Sequence, residues 1–245
     1  METGNPKNYC LIKECERMNI NNFNKKDWQW LYTHRCKEHN RRYTEHPACF
    51  KKDYGNIDKP SALRERIGFL DIETSGLSAN FSIMLTWSIK IGDKIHYDML
   101  RKEDFNTDNL FKVDKRIVKS IIEEINGLDR IVTHYGRKFD LPYIRTRALL
   151  CDLEFPNFGS ISNDDTYYLC KNKLRLTSNR LETAMQLLYG YSNKTHLNGN
   201  IWIPASMGNE KALAQILKHN KTDVQELELI WLKLRDFVGK RNTSI

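Results

Sequence analysis

Residues 67–77 read Ile-Gly-Phe-Leu-Asp-Ile-Glu-Thr-Ser-Gly-Leu. The apolar run from Ile67 to Ile72, closed by the turn formers Ser75 and Gly76, has the length and content of a buried strand. Asp71 and Glu73 stand at i and i+2, so a strand points both side chains the same way. Two carboxylates on one face of an otherwise buried strand are costly unless something neutralises them. A divalent cation does so, and hard cations such as Mg²⁺ favour carboxylate oxygen. Asp-x-Glu turns up about once by chance in a chain of this length at average composition, and an acidic strand exit explains it equally well. The pair therefore needs company.

Outward from this strand the pattern alternates. Ile83 to Ile91, Gly92-Asp93 and Lys94 to Leu100 read as a hairpin. Val113 to Ile125 places Ile117, Ile121, Ile122 and Ile125 at helical spacing and ends at Asn126-Gly127. Arg130 to His134 is a short strand, and Leu141 to Leu150 a helix that tolerates Pro142 in its first turn. Ser178 to Leu188 reads as a helix capped by Ser178 or Asn179 and stopped at Gly190. Glu210 to His219 and Val224 to Val238 read as two further helices. Strands in antiparallel succession, then strands alternating with helices, predict an α/β fold: a mixed sheet flanked by helices.

Two more segments carry acids. In Ile-Val-Thr-His-Tyr-Gly-Arg-Lys-Phe-Asp-Leu-Pro, residues 131–142, Asp140 follows a short strand and a glycine turn. Alone it reads as a helix N-cap. In Leu-Lys-His-Asn-Lys-Thr-Asp-Val, residues 217–224, His219 and Asp223 are four apart, which puts them on one helical face. Alone that pair reads as a solvated surface. Together, Asp-Ile-Glu-Thr, Phe-Asp-Leu-Pro and His-x-x-x-Asp-Val resemble the motifs of the DEDD superfamily of 3′–5′ exonucleases, over approximately Arg66 to Leu234. Within it the chain is most similar to predicted exonucleases related to the proofreading domains of family B polymerases.

That resemblance implies an RNase H-like fold, and it implies Asp71, Glu73, Asp140 and Asp223 as ligands of two Mg²⁺ or Mn²⁺ ions. Such a pair activates water and stabilises the departing oxygen. Two features depart from the family. Its helix motif is Tyr-x-x-x-Asp or His-x-x-x-x-Asp, whereas His219 has the tyrosine's spacing. His219 is the candidate general base or water-orienting group. Relatives commonly have Asn where Tyr135 stands before Gly136. The candidate nucleic-acid contacts are Thr74, where the family meets the terminal nucleotide, together with Tyr135, Phe139 and Arg180. Arg180 closes a stretch in which Lys171, Lys173 and Arg175 accompany Tyr167 and Tyr168. Cations interleaved with aromatics suit a groove that tracks a backbone and stacks bases, and a solvated helix edge reads the same way. Asp164 and Asp165 are a fifth acidic pair or, more simply, a turn and a cap.

The first 60 residues differ. They hold 12 Lys and Arg against 8 Asp and Glu, half of the formal +8 of the chain. A boundary is expected among the turn formers of Gly55 to Pro60, which divides the chain into an appendage, residues 1–60, and an exonuclease domain, residues 61–245. Cys36-x2-His39 and, six residues on, His46-x2-Cys49 have the paired spacing of a structural Zn²⁺ site. The alternative is a loop whose Cys and His never converge. Cys10 and Cys15 replace one pair or stand by, and Cys151 and Cys170 are expected as inert, buried thiols.

The 245 residues are 40% hydrophobic and 29% charged, with 39 Lys and Arg against 31 Asp and Glu. That balance suits a polyanionic partner, and also plain solubility. The expected substrate is a nucleic acid 3′ end, DNA favoured over RNA. An endonuclease of the same fold and a weakly catalytic nucleic-acid-binding module are the alternatives. No signal core opens the sequence and no run reaches the roughly 20 apolar residues of a membrane span. An intracellular, cytoplasmic protein without membrane attachment is expected.

Overall fold

A computed structural model describes residues 25–54, 65–157, 159–193 and 196–238. The chain divides into two compact units, Met1–Glu65 and Arg66–Ile245. The expected boundary at Gly55 to Pro60, like Cys10 and Cys15, lies outside the described residues.

In the first unit, helices α1 (Lys25–Thr33) and α2 (Pro47–Tyr54) flank a tight turn closed by a bridge between Arg35 and Arg42. Among its described residues, Leu31, Cys36, Tyr43, Cys49 and Phe50 form a core.

The second unit is built on a five-stranded mixed sheet. Its strands are β1 (Ile67–Thr74), β2 (Met84–Ile91), β3 (Lys94–Met99), β4 (Arg130–Thr133) and β5 (Ser162–Asp165), in the spatial order β3-β2-β1-β4-β5. β1, β2 and β3 pair antiparallel, while β4 runs parallel to β1 and β5 parallel to β4. Around them lie α3 (Lys115–Asn126), α4 (Asp140–Leu150), α5 (Thr166–Lys173), α6 (Leu181–Tyr189), α7 (Trp202–Ser206) and α8 (Glu210–Leu234). The predicted mixed sheet between helices is what the chain forms.

Strand alternation separates two cores. Leu70 and Ile72 face the larger one, with Ile117, Ile121 and Ile125 of α3 and Ile144 of α4. Phe69 faces the other, with Val224, Leu227, Ile230 and Trp231 of α8 and Ala184 and Met185 of α6. By the same period of two, Asp71 and Glu73 share the side of Phe69, the side on which α8 packs. The Phe69 and Trp231 rings meet edge to face at 5.7 Å. From there β1 advances about 13 Å to Glu73, and α8 runs back about 18 Å from Trp231 to His219. The strand's acidic end and the middle of the helix therefore come together.

Three details differ from the sequence reading. α8 is one helix of 25 residues rather than two, because the polar stretch at its middle is used rather than solvated: Asn220 is fully buried and Thr222 donates to the Lys218 carbonyl. α6 starts at Leu181 after Arg180, without a side-chain cap, and Gly190 ends it at φ +78°, a left-handed turn that suits glycine. The second carboxylate pair, Asp164 and Asp165, sits on a strand, β5, of sequence Ser-Asn-Asp-Asp. Among the described residues no helix is long and apolar enough to cross a membrane.

Candidate functional site

Where β1 ends, a bulge between Glu73 and Thr74 interrupts the pairing with β2. At this point the sheet opens into a cleft of about 450 Å³ lined by Asp71, Glu73, Asp140, His219 and Asp223, with Tyr135 and Phe139 at its wall. Three separate stretches of sequence thus deliver their acids to one cavity. Thr74 and Arg180 are not among its lining residues: the Thr74 hydroxyl donates to the Gly76 carbonyl, and Arg180 precedes α6 at the surface.

The tightest grouping is Glu73, His219 and Asp223, whose donor atoms lie within 4.8 Å of one another. His219 Nε2 is 3.8 Å from Glu73 Oε1 and 3.6 Å from Asp223 Oδ2. The four-residue spacing sets the imidazole beside Asp223 one helical turn away and turns both toward the strand. Asp71 is held from the same helix, since Asn220 Nδ2 donates to its Oδ2 at 2.6 Å. Asp140 opens α4 but does not cap it. Its Oδ1 instead accepts the Ile72 N–H at 3.1 Å, which ties the start of α4 to β1.

Electrostatics follow from enclosure. Burial pushes the Asp140 carboxyl up to about 7, against the pull of the Ile72 N–H, and Asp165 adds to the rise. Asp165 is itself raised by burial, opposed by backbone N–H groups of Arg137, Tyr135 and Tyr167. Among the described residues, no lysine or arginine lines the cleft. Carboxylates enclosed without a cationic side chain are a fit for divalent metal: oxygen-rich and hard enough for Mg²⁺, with an imidazole that Mn²⁺ also accepts.

One wall is a turn under strain. Tyr135 has φ +68°, a left-handed conformation in which Asn is several-fold enriched and a bulky residue is rare. Gly136 must be glycine, because a Cβ there would stand 2.5 Å from Thr133 Cβ. Asp165 fastens this turn, accepting Tyr135 N–H at 2.9 Å and Arg137 N–H at 3.0 Å, and it also caps α5 through Tyr167 N–H. Asp164 is buried against Arg130 and the Trp231 indole. The structure thus gives both acids framework contacts. Tyr135 packs on Tyr167 at 4.8 Å and Tyr168 at 6.3 Å, and Arg137 lies over the Tyr168 ring at 5.9 Å. Lys171, Lys173 and Arg175 are exposed.

Sequence reasoning passed over Asn220, Asp165 as the turn's fastening, and the further lining residues His134, His196, Leu197 and Trp202. A buried Asn beside a predicted ligand on an otherwise amphipathic helix was the one signal available for Asn220. In the first unit, the structure gathers Cys36, His39, His46 and Cys49, with donor atoms within 4.8 Å of one another. Cys151 and Cys170 are buried, as expected.

Comparison with known proteins agrees with this architecture. The chain matches a DNA polymerase of Methanocaldococcus jannaschii at 27% identity over 110 residues, which is 36% of this chain and 7% of that protein. The family B DNA polymerase of the archaeon Pyrobaculum calidifontis superposes with a TM-score of 0.59 at 15% identity, covering 71% of this chain and 25% of the polymerase. The chain thus spans a small part of the length of either relative. The family described as the RNase_H superfamily matches residues 68–235, which include all of the cleft's acids. The chain belongs to the RNase H superfamily.

Proposed function

We propose that this protein is a metal-dependent nuclease that removes nucleotides from the 3′ end of nucleic acid. The observation that carries the reading is the cleft: Asp71, Glu73, Asp140 and Asp223 line one cavity, and among the described residues no lysine or arginine joins them. A phosphodiester is repelled by such a wall unless cations stand between. The four acids would hold two Mg²⁺ or Mn²⁺ ions, which supply a more acidic water and charge neutralisation at the leaving oxygen.

The chain's own groups do the rest. Asn220 fixes Asp71, and the Ile72 N–H fixes Asp140, so the acids are set before substrate arrives. A water oxygen attacks phosphorus as the bond to the 3′ oxygen breaks. His219 Nε2 accepts the water's proton, with Glu73 and Asp223 beside it to stabilise the imidazolium. The departing oxygen takes a proton from solvent. Tyr135 and Phe139 offer rings to the terminal base. Both matched relatives are DNA polymerases, which favours DNA over RNA, and the exonuclease motifs favour attack from an end.

Asp71→Asn decides the chemistry: it is expected to abolish Mg²⁺-dependent degradation of end-labelled strands with the circular dichroism spectrum unchanged. Full activity in the folded variant defeats the proposal. Circular single-stranded DNA decides the mode, because an enzyme that needs an end leaves it intact and an endonuclease opens it.

A further inference from the structure

Cys36, His39, His46 and Cys49 play no part in the cleft. We infer that they bind a structural Zn²⁺, which the first unit needs in order to hold its fold.

The geometry argues for one ion of one kind. Cys36 and His39 sit at the two ends of a tight turn, closed by Cys36 N–H to the Arg41 carbonyl and Asn40 N–H to the Cys36 carbonyl. Asn40 takes a left-handed φ of +52° there. His46 precedes α2 and Cys49 lies in its first turn, with Cys49 N–H donating to the His46 carbonyl. Each pair presents one sulfur and one Nδ1. Across the site, Sγ of Cys36 lies 3.9 Å from His39 Nδ1 and 3.7 Å from His46 Nδ1. Sγ of Cys49 lies 3.4 Å and 3.1 Å from the same atoms. A tetrahedral Zn²⁺, with Zn–S about 2.3 Å and Zn–N about 2.0–2.1 Å, requires S···N edges of roughly 3.5 Å. The four distances centre on that value.

The alternatives fit less well. Cys36 and Cys49 are free thiols rather than a disulfide. A two-iron cluster with two Cys and two His separates the sulfurs from the nitrogens by its own width, because each pair holds a different iron. Here sulfur and nitrogen interleave around a single point. Thiolate with imidazole in tetrahedral array is the zinc preference among divalent ions. All four positions are protein donors, so no site stays open for substrate, which marks a structural rather than catalytic metal. Glu38 Oε1 stands 4.0 Å from His39 Nε2, the ring nitrogen turned away from the site, and a carboxylate there orients a ligating imidazole.

The need for metal is written in the core. Among its described residues, the five buried hydrophobic side chains include the two cysteines. Apolar burial is marginal in a unit of this size, and a bound metal adds its binding energy to the fold.

The test uses the full chain. Purified protein is expected to carry one zinc per molecule through dialysis against Mg²⁺ buffer. Exchange with Co²⁺ is expected to give the intense visible bands of a tetrahedral site, with thiolate-to-cobalt charge transfer in the near ultraviolet. Asp71→Asn with Asp223→Asn is expected to keep the zinc, and Cys49→Ser to lose it. Because the cobalt spectrum is read on the unaltered chain, a Cys49→Ser variant that fails to fold leaves the question decidable. Protein without zinc, an octahedral cobalt spectrum, or zinc lost from the aspartate variant instead would each overturn the inference. The nuclease reading is untouched by any of these outcomes, since it concerns the other unit.

Discussion

Asn220 lies behind the cleft's acids, and its amide donates to Asp71 at 2.6 Å from a fully buried position. Partners that orient a metal's ligands typically carry about 10- to 100-fold in metal affinity. Asn220→Ala is accordingly expected to raise the Mg²⁺ concentration for half-maximal degradation by about that factor, while the rate at saturating Mg²⁺ changes less. An unaltered Mg²⁺ requirement would remove Asn220 from the site. Asp140 makes a different prediction. Unfolded, its carboxyl ionises near the ordinary value of about 3.9; folded, burial holds the proton up to about 7. In chelator, the folded state gains from protonation, so raising the pH from roughly 4 to 7 removes stability at up to about 1.4 kcal/mol per pH unit, and the loss then levels off. Asp165 is shifted in the same direction. Thermal denaturation in chelator should show this slope, and Asp140→Asn should flatten it; an equally steep variant would place the source elsewhere.

Among the elements, α4 is anchored by a group that the sequence does not advertise. Arg147 is buried and donates to Asp114 Oδ2 at 2.8 Å, to the Ala79 carbonyl and to the Phe111 carbonyl, while the same Asp114 oxygen accepts Met84 N–H. Arg147→Ala leaves a buried carboxylate without its counter-charge, which costs about 3–5 kcal/mol. Denaturant titration should show that loss, and a change below about 1 kcal/mol would mean that water replaces the guanidinium. Elements with apolar periodicity were legible. The alternation of β1 and the stripe of Ile117, Ile121, Ile122 and Ile125 named their own secondary structure and their buried faces. β5 was not legible as a strand, because Ser-Asn-Asp-Asp lacks apolar content and is held by β4 and by side-chain hydrogen bonds. The unbroken α8 was missed because Asn220 and Thr222 look like turn residues until their partners are known. Likewise, the family resemblance brought seven cleft residues into view, whereas the partners that hold them come from contacts distant in sequence.

Over the whole chain the formal charge is +8, whereas the cleft is lined by four carboxylates. On the proposed reading, attraction to a polyanion belongs to the surface and cutting to the cavity. Binding of single-stranded DNA in Ca²⁺ should weaken linearly on a log–log plot against salt, with a slope of about −0.7 for each phosphate neutralised. A salt-independent affinity would deny the basic surface any role. The chain also stores strain at the wall of the cleft. A non-glycine backbone at φ +68° costs about 1–3 kcal/mol, and it does so at Tyr135, a residue 44% exposed at the edge of the cleft. A library of variants sorted only for heat resistance would drift toward glycine or asparagine at position 135. Its sturdiest members would be those that had discarded the ring and, on the proposed reading, their hold on a frayed strand.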